Sequence, residues 1–296
     1  MKIAVIGAGN VGAMVASRVI DADLADVILL DVVPGLAKGK ALDISDARPL
    51  FDSRATIAGS EDFKDMKDSD IVVITAGLAR KPGMSRDDLL KRNAEIIKEV
   101  ALHIKKYCPL SMVIVVTNPL DVMSYLVMKT TGFSPNKVIG MAGVLDTARF
   151  VNALWEKNHD VNPNNILMMG SHGDTMVPIN RSDSISKILF EETSEQARNR
   201  GAEIVKYLGT GSAYFAPSAS VFSMLETIVK KERKAVCVSA YLDGQYNEKD
   251  IYIGVPVILG AMGVDKIIEI DLAAEEKRDF KESARQIRES IAKTFS

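Results

Sequence analysis

Cysteine, histidine and tryptophan are scarce in this 296-residue chain, with two, three and one copies respectively. The two thiols, Cys108 and Cys237, stand far apart in no metal-ligand spacing, which excludes a disulfide framework and a cysteine-held metal. Cys237 lies in an apolar stretch that reads as a buried strand, and both thiols are expected to be reduced and structural. No apolar run reaches the roughly 18 residues of a membrane span. Neither sign of charge dominates either: 37 Lys and Arg against 39 Asp and Glu leave a net charge of -2. That balance lacks the electrostatic footprint of a nucleic-acid or anionic-membrane binder, so small molecules are the expected partners. The chain runs from Met1 straight into an apolar strand, without a charged-then-apolar leader, and a cytoplasmic location is expected.

What is present is ordinary for a globular enzyme of one large or two modest domains: 47% hydrophobic and 26% charged residues. Residues 2–6 form a short β-branched run that stops at glycines, and residues 11–20 then carry the apolar spacing of a packed helix. Similar short strands recur at 27–30, 71–74 and 112–116, with helices predicted over 36–47, 86–107 and 120–130. Strands alternating with helices predict a doubly wound parallel sheet of Rossmann type, an α/β fold. Past residue 139 the rhythm loosens. Helices are predicted at 145–157, 182–208, 218–230 and 273–295, with strands at 165–170, 235–242 and 251–257, giving a mixed α+β second half. The domains are placed at 1–141 and 142–296. No repeat or Pro/Ser-rich linker separates them, so they are expected to pack closely.

Gly7, Gly9 and Gly12 fit G-x-G-x-x-G directly after a strand and opening a helix, the context in which that spacing binds a dinucleotide. The first glycine permits the tight turn, the second lets backbone approach a pyrophosphate, and the third lets helix and strand pack closely. A helix N-terminus supplies free N–H groups and partial positive charge. Asp31 ends the second strand 19 residues after Gly12. A carboxylate there accepts hydrogen bonds from both ribose hydroxyls and repels a 2′-phosphate, which favours NAD over NADP.

Three histidines leave few candidates for acid/base work near neutral pH. His103 lies inside a predicted helix beside two lysines, and His159 follows another; both read as surface residues. His172 sits in Gly170-Ser171-His172-Gly173-Asp174 after an apolar strand, with a flexible glycine on either side, where a loop can face a ligand. Asp146 and Arg149 share one helix face. They are either an orienting aspartate and a carboxylate-binding arginine or a plain surface ion pair. The stretch from Gly77 to Arg86 holds three cations, Arg80, Lys81 and Arg86, and reads either as a loop that closes over an anion or as a solvated face. Asn118, before Pro119, either directs an amide at a substrate oxygen or shapes the turn.

Taken in order, these segments resemble the lactate/malate dehydrogenase family over nearly the whole chain: Gly7 to Gly12, Asp31, Arg80 to Arg86, Thr117-Asn118-Pro119, Asp146-Thr147-Ala148-Arg149 and His172-Gly173-Asp174. The resemblance implies an NAD-dependent oxidoreductase with His172 as proton acceptor and Asp146 as its orienting partner. Arg149 would clamp the substrate's C1 carboxylate, and Arg86 would polarise the reacting carbonyl. NAD would contact Gly7, Ala8, Gly9, Asn10, Val11, Gly12, Asp31, Asn93, Val116, Thr117 and Asn118, with Asn118 also reaching substrate; no metal is implied. Family members acting on malate carry arginine where this chain has Arg80, and those acting on lactate carry a neutral residue. The charge argument agrees, since oxaloacetate brings a second carboxylate whereas pyruvate would leave Arg80 desolvated and unpaired. The lactate-dehydrogenase-like malate branch is the nearer one, and the resemblance implies a homo-oligomer, a tetramer ahead of a dimer. A lactate or other 2-hydroxyacid dehydrogenase is the close alternative. An NAD-dependent glycosidase would need a metal-ligating Cys/His pair, and an NAD-sensing module would not need His172, Asp146 and Arg149.

Overall fold

The computed structural model describes residues 1–78 and 85–295, with the side chains of Arg86 and Asn164 outside that description. Arg80, and the side chain of Arg86, therefore lie outside the described residues.

The first half follows the apolar rhythm. In chain order it is β1 (Lys2–Ile6), α1 (Asn10–Asp21), β2 (Asp26–Leu30), α2 (Leu36–Ala47), β3 (Ile57–Ser60), β4 (Ile71–Ile74), α3 (Arg86–Tyr107), β5 (Met112–Val115), α4 (Leu120–Thr131) and β6 (Val138–Gly140). The six strands pair in parallel in the order β3-β2-β1-β4-β5-β6. Successive side chains of a strand point to opposite faces, and here both faces are covered by helices. Ile3, Val5, Val27, Leu29, Ile71 and Val73 accordingly enter one core, while Ala4, Ile6, Ile28, Leu30, Val72 and Ile74 enter the other. That double burial is why these strands read as unbroken apolar runs. The strand order reverses between β1 and β4, and a crevice for ligands opens at the carboxyl edge of such a sheet.

The second half runs α5 (Gly143–Glu156), β7 (Ile166–Gly170), β8 (Met176–Asn180), α6 (Lys187–Leu208), α7 (Phe215–Val229), β9 (Lys234–Asp243), β10 (Lys249–Gly260), β11 (Gly263–Ile267) and α8 (Ala274–Phe295). Its strands pair antiparallel and continue the sheet from β6 in the order β9-β10-β7-β8, with β11 also on β10. The junction is a single residue pair, Gly140 with Ser239. A Cβ on Gly140 would stand 2.7 Å from that of Ser239, so the two halves meet where glycine allows it.

Four strands escape the periodicity. β6 has only three residues, and β3 is a short edge strand with little apolar content. β8 contains Pro178, which an edge position tolerates because one side of the strand needs no N–H donor. β11, Gly-Val-Asp-Lys-Ile, has two charged residues at its centre and is mostly exposed or half-buried. Helix α7 starts at Phe215 rather than 218, because Pro217 falls in its first turn, where its missing N–H costs nothing. Helix α6 starts later than 182, at Lys187, where the Ser186 hydroxyl accepts the Leu189 N–H.

Both cysteines are free and buried, with Cys108 Sγ 2.9 Å from the Met66 carbonyl and Cys237 Sγ 3.0 Å from that of Met168. Among the described residues no helix is long and apolar enough to cross a membrane.

Candidate active site

The glycine turn after β1 is shaped by contacts that admit no side chain. Gly7 has φ +103°, and a Cβ there would lie 2.6 Å from the Ala76 nitrogen. A Cβ on Gly12 would stand 1.9 Å from the Gly7 oxygen and 2.6 Å from Thr75 Oγ1. Thr75, at the end of β4, donates its hydroxyl to the Gly7 carbonyl at 2.9 Å and so braces the turn from the neighbouring strand. Around Gly9, by contrast, nothing lies within 4 Å of where a Cβ would be, leaving an open cradle at the start of α1. The first turn of α1 holds no acidic residue and no side-chain cap, so its N–H groups are available to an anion. These features fit a dinucleotide pyrophosphate. Gly12→Ala is expected to cost about 1–3 kcal/mol of stability by overpacking and to weaken NADH binding. Urea unfolding and a fluorescence titration check this, and wild-type values in both would show that Gly12 does not set the approach of α1 to the turn.

Asp31 lies at the end of β2. Its Oδ2 accepts the Ala8 N–H at 2.7 Å and its Oδ1 accepts the Val33 N–H at 2.9 Å. Each oxygen keeps a further lone pair for a ribose hydroxyl. Lys40 of α2 donates to the Ala8 carbonyl at 2.8 Å and brings a cation to the outer wall of the cradle.

At the ends of β4 and β5 the chain is held by side chains. Thr117 donates to the Ala76 carbonyl at 2.6 Å, and the Val116 N–H to that of Ile74 at 2.9 Å. Asn93 of α3, almost fully buried, accepts the Leu78 N–H at 2.8 Å through Oδ1 and donates to the Asn118 carbonyl at 2.7 Å. It thereby clamps the start of the 77–86 stretch to the Asn118 turn. Asn118 itself is exposed, and its bond to Pro119 is cis.

The candidate acid/base group, His172, meets its partner across the fold. His172 Nδ1 lies 2.7 Å from Asp146 Oδ2, with the aspartate side chain 3% exposed and the imidazole 14%. A carboxylate at Nδ1 fixes that nitrogen as donor and leaves Nε2 as acceptor. Burial opposes charge on the ring, but the charge and hydrogen bond of Asp146 outweigh it, and the His172 pKa is raised above the ordinary 6.5. Arg149 Nη1 stands 3.6 Å from Asp146 Oδ1, too far for a hydrogen bond. Arg149 Nε and Asp146 Oδ1 are both buried with no hydrogen-bond partner among the described residues. The pair is therefore no surface ion pair. Burial pushes the guanidinium pKa down, with Asp146 opposing and Arg200 adding repulsion. A buried cation with an idle donor fits an anionic ligand such as a carboxylate.

The loop that carries His172 is pinned. Ser283 of α8 accepts the Ser171 N–H at 2.7 Å, and Ser171 Oγ lies 2.7 Å from Thr175 Oγ1. Gly170 has φ +81° and would bring a Cβ within 2.9 Å of Ser283 Oγ. This glycine serves close packing rather than flexibility. His103 stacks on Phe63 with ring centroids 4.2 Å apart, and His159 Nε2 lies 3.5 Å from Ser184 Oγ; neither joins the site. The pattern gave no hint of Thr75, Lys40, Ser283, Ser239 or Asp121. A threonine at a strand end and an acid in a helix's first turn are common, and only their partners distinguish them.

Two sequence profiles cover the chain: lactate/malate dehydrogenase, NAD binding domain, over residues 1–140, and lactate/malate dehydrogenase, alpha/beta C-terminal domain, over residues 143–296. A malate dehydrogenase of Shouchella clausii is 46% identical over 98% of this chain and 96% of its own length. The crystal structure of Cryptosporidium parvum malate dehydrogenase superposes with a TM-score of 0.92 at 38% identity, covering 99% of this chain and 98% of that one. The lactate dehydrogenase of the same organism, complexed with lactic acid and nicotinamide adenine dinucleotide, gives 0.93 at 38% identity over 98% and 96%. The fold alone thus does not separate the two activities. With both halves matched and close relatives aligned almost end to end, the chain belongs to the lactate/malate dehydrogenase family.

Proposed function

We propose that this chain catalyses the NAD-dependent, reversible oxidation of (S)-malate to oxaloacetate, with His172 as the acid/base. The observation that carries the residue assignment is the buried set of His172, Asp146 and Arg149, tied through the His172 backbone N–H to Asp121 in the first turn of α4. Residues 1–141 hold the cofactor and supply Arg80, Arg86 and Asn118 to the substrate, while 142–296 contribute Asp146, Arg149 and His172.

NAD, when bound, would supply the hydride acceptor for C2 of malate, and NADH the hydride donor for C2 of oxaloacetate in the reverse direction. His172 Nε2 takes the C2 hydroxyl proton, while Asp146 at Nδ1 holds the ring and stabilises the imidazolium that results. In reduction the same nitrogen gives the proton back. Arg149 meets the C1 carboxylate with its planar fork, Arg86 polarises the C2 carbonyl, and Asn118 hydrogen-bonds substrate and cofactor. Gly7 to Gly12 hold the pyrophosphate and Asp31 the adenosine ribose. Asn93, Val116, Thr117 and Asn118 shape the nicotinamide side. Two free buried thiols support a reducing, cytoplasmic setting. Exposed Leu42, Leu50 and Phe51, close together in sequence, support a homo-oligomer.

Arg80, outside the described residues, is the selector, pairing with the second carboxylate of oxaloacetate. The lactate dehydrogenase likeness makes pyruvate the competitor to test. Arg80→Gln is expected to lower the ratio of oxaloacetate to pyruvate reduction by at least about tenfold, equivalent to roughly 1.4 kcal/mol. Parallel NADH-oxidation assays with both substrates read it directly, and an unchanged ratio would remove Arg80 from the role.

A further inference from the structure

One buried carboxylate has no part in the reaction described so far. Asp121 sits in the first turn of α4, three residues past Asn118, and is 5% exposed. Its Oδ2 accepts the backbone N–H of His172 at 3.1 Å, and its Oδ1 accepts the Ser239 hydroxyl at 2.6 Å. Ser239 is fully buried on β9 at the junction with β6. One side chain thus joins the helix behind Asn118, the loop of His172 and the seam between the parallel and antiparallel strands.

Hydrogen bonding alone does not require a charge here. An asparagine would satisfy both partners, its oxygen accepting from His172 and its amide donating to Ser239 Oγ. A carboxylate in the same place is costlier to bury. The cost is visible in the acid itself, which burial pushes up to about 6 despite the Ser239 and His172 hydrogen bonds and attraction to the His172 ring, with Asp146 repelling it. The groups around it are His172 of the loop, Asp146 of α5, and Ser239 and Cys237 of β9, whose thiol is raised by burial and by both carboxylates. Asp121 and Asp146 both favour a charged His172 ring, whereas Arg149 disfavours it. Malate oxidation moves a proton from the C2 hydroxyl to His172 while the hydride leaves C2, so the ring becomes cationic as the substrate is oxidised. A second negative charge at the His172 backbone acts on that change.

We propose that Asp121 is a positioning residue for this reaction: its carboxylate holds the His172 backbone in register with the Asn118 turn and, while ionised, joins Asp146 in stabilising the imidazolium. The inference rests on His172 being the acid/base. Full-length Asp121→Asn, Asp121→Ala and His172→Asn separate the possibilities through pH profiles in both directions, NADH titration and thermal unfolding. D121N keeps the hydrogen bonds and loses the charge. It is expected to bind NADH as the parent does, with the His172 limb of the pH profile displaced to lower pH. The parent converges on D121N below about pH 6, where Asp121 takes up its own proton. D121A also strands the His172 N–H, and kcat is expected to fall about ten- to a hundredfold, more than KM changes, with D121N restoring most of it. An inactive H172N beside a D121N with the parent's pH limb would overturn this inference alone. A fully active H172N would overturn it together with the acid/base assignment.

Discussion

Replacing His172 with asparagine is expected to lower turnover by at least ~10²–10⁴-fold, the usual worth of a positioned general acid/base, while NADH still binds. Asparagine fills similar space and keeps a donor toward Asp146, so the loss reports the missing proton relay rather than a collapsed loop. The Ser283 and Asp121 bonds that hold the loop run to the backbone of Ser171 and His172 and survive the change. The pH profile supplies a second, independent reading. Reduction of oxaloacetate needs the protonated ring, so its rate is full at low pH and falls as pH rises through the His172 pKa. Malate oxidation needs the neutral ring and rises over the same range. Because Asp146 outweighs burial and lifts this pKa, the shared inflection is expected above 6.5. Steady-state kinetics in both directions measure it. An inflection below 6.5, or one that persists in H172N, would place the acid/base elsewhere.

Arg149→Met is expected to lower kcat/KM for oxaloacetate by about 30-fold to several thousandfold, from the 2–5 kcal/mol that truncating one partner of a buried charge pair costs. Methionine preserves much of the buried stem and removes the fork, leaving the substrate carboxylate without its cation. The remaining activity carries its own signature. Arg149 disfavours a charged His172, so its removal is expected to move the His172 limb further up in pH. Arg149→Lys restores a charge but not the planar pair of donors, and is expected to recover only part of the loss. Full recovery with lysine would mean that a point charge suffices and that the fork has no orienting role.

The cradle was legible because its geometry is local. Gly7, Gly9 and Gly12 lie within six positions of one another, and the reason each is glycine follows from the turn they make. The pair of Asp146 and Arg149 was only half legible. Their spacing puts them on one face of α5, yet the choice between a solvated ion pair and a buried site turns on what covers that face. Burial of both side chains decided it. His172 was singled out because there are few histidines, but its bond to Asp146 spans 26 positions and no local pattern encodes it. The glycines on either side of it suggested a flexible loop, but on the Gly170 side close contact with Ser283 packs the loop tightly instead.

The α/β class, the glycine turn that opens α1 and the order of motifs that place the chain in its family are all written in the sequence. Each of those depends on spacing within a few residues or on the succession of short buried runs. Tertiary structure alone decided the strand order and the addition of β3, β6, β8 and β11. It also decided that Asp121 stands behind the His172 loop, through partners 51 and 118 positions away. A three-residue strand or a helix's first acidic residue acquires its meaning from neighbours that only the folded chain brings within hydrogen-bonding distance.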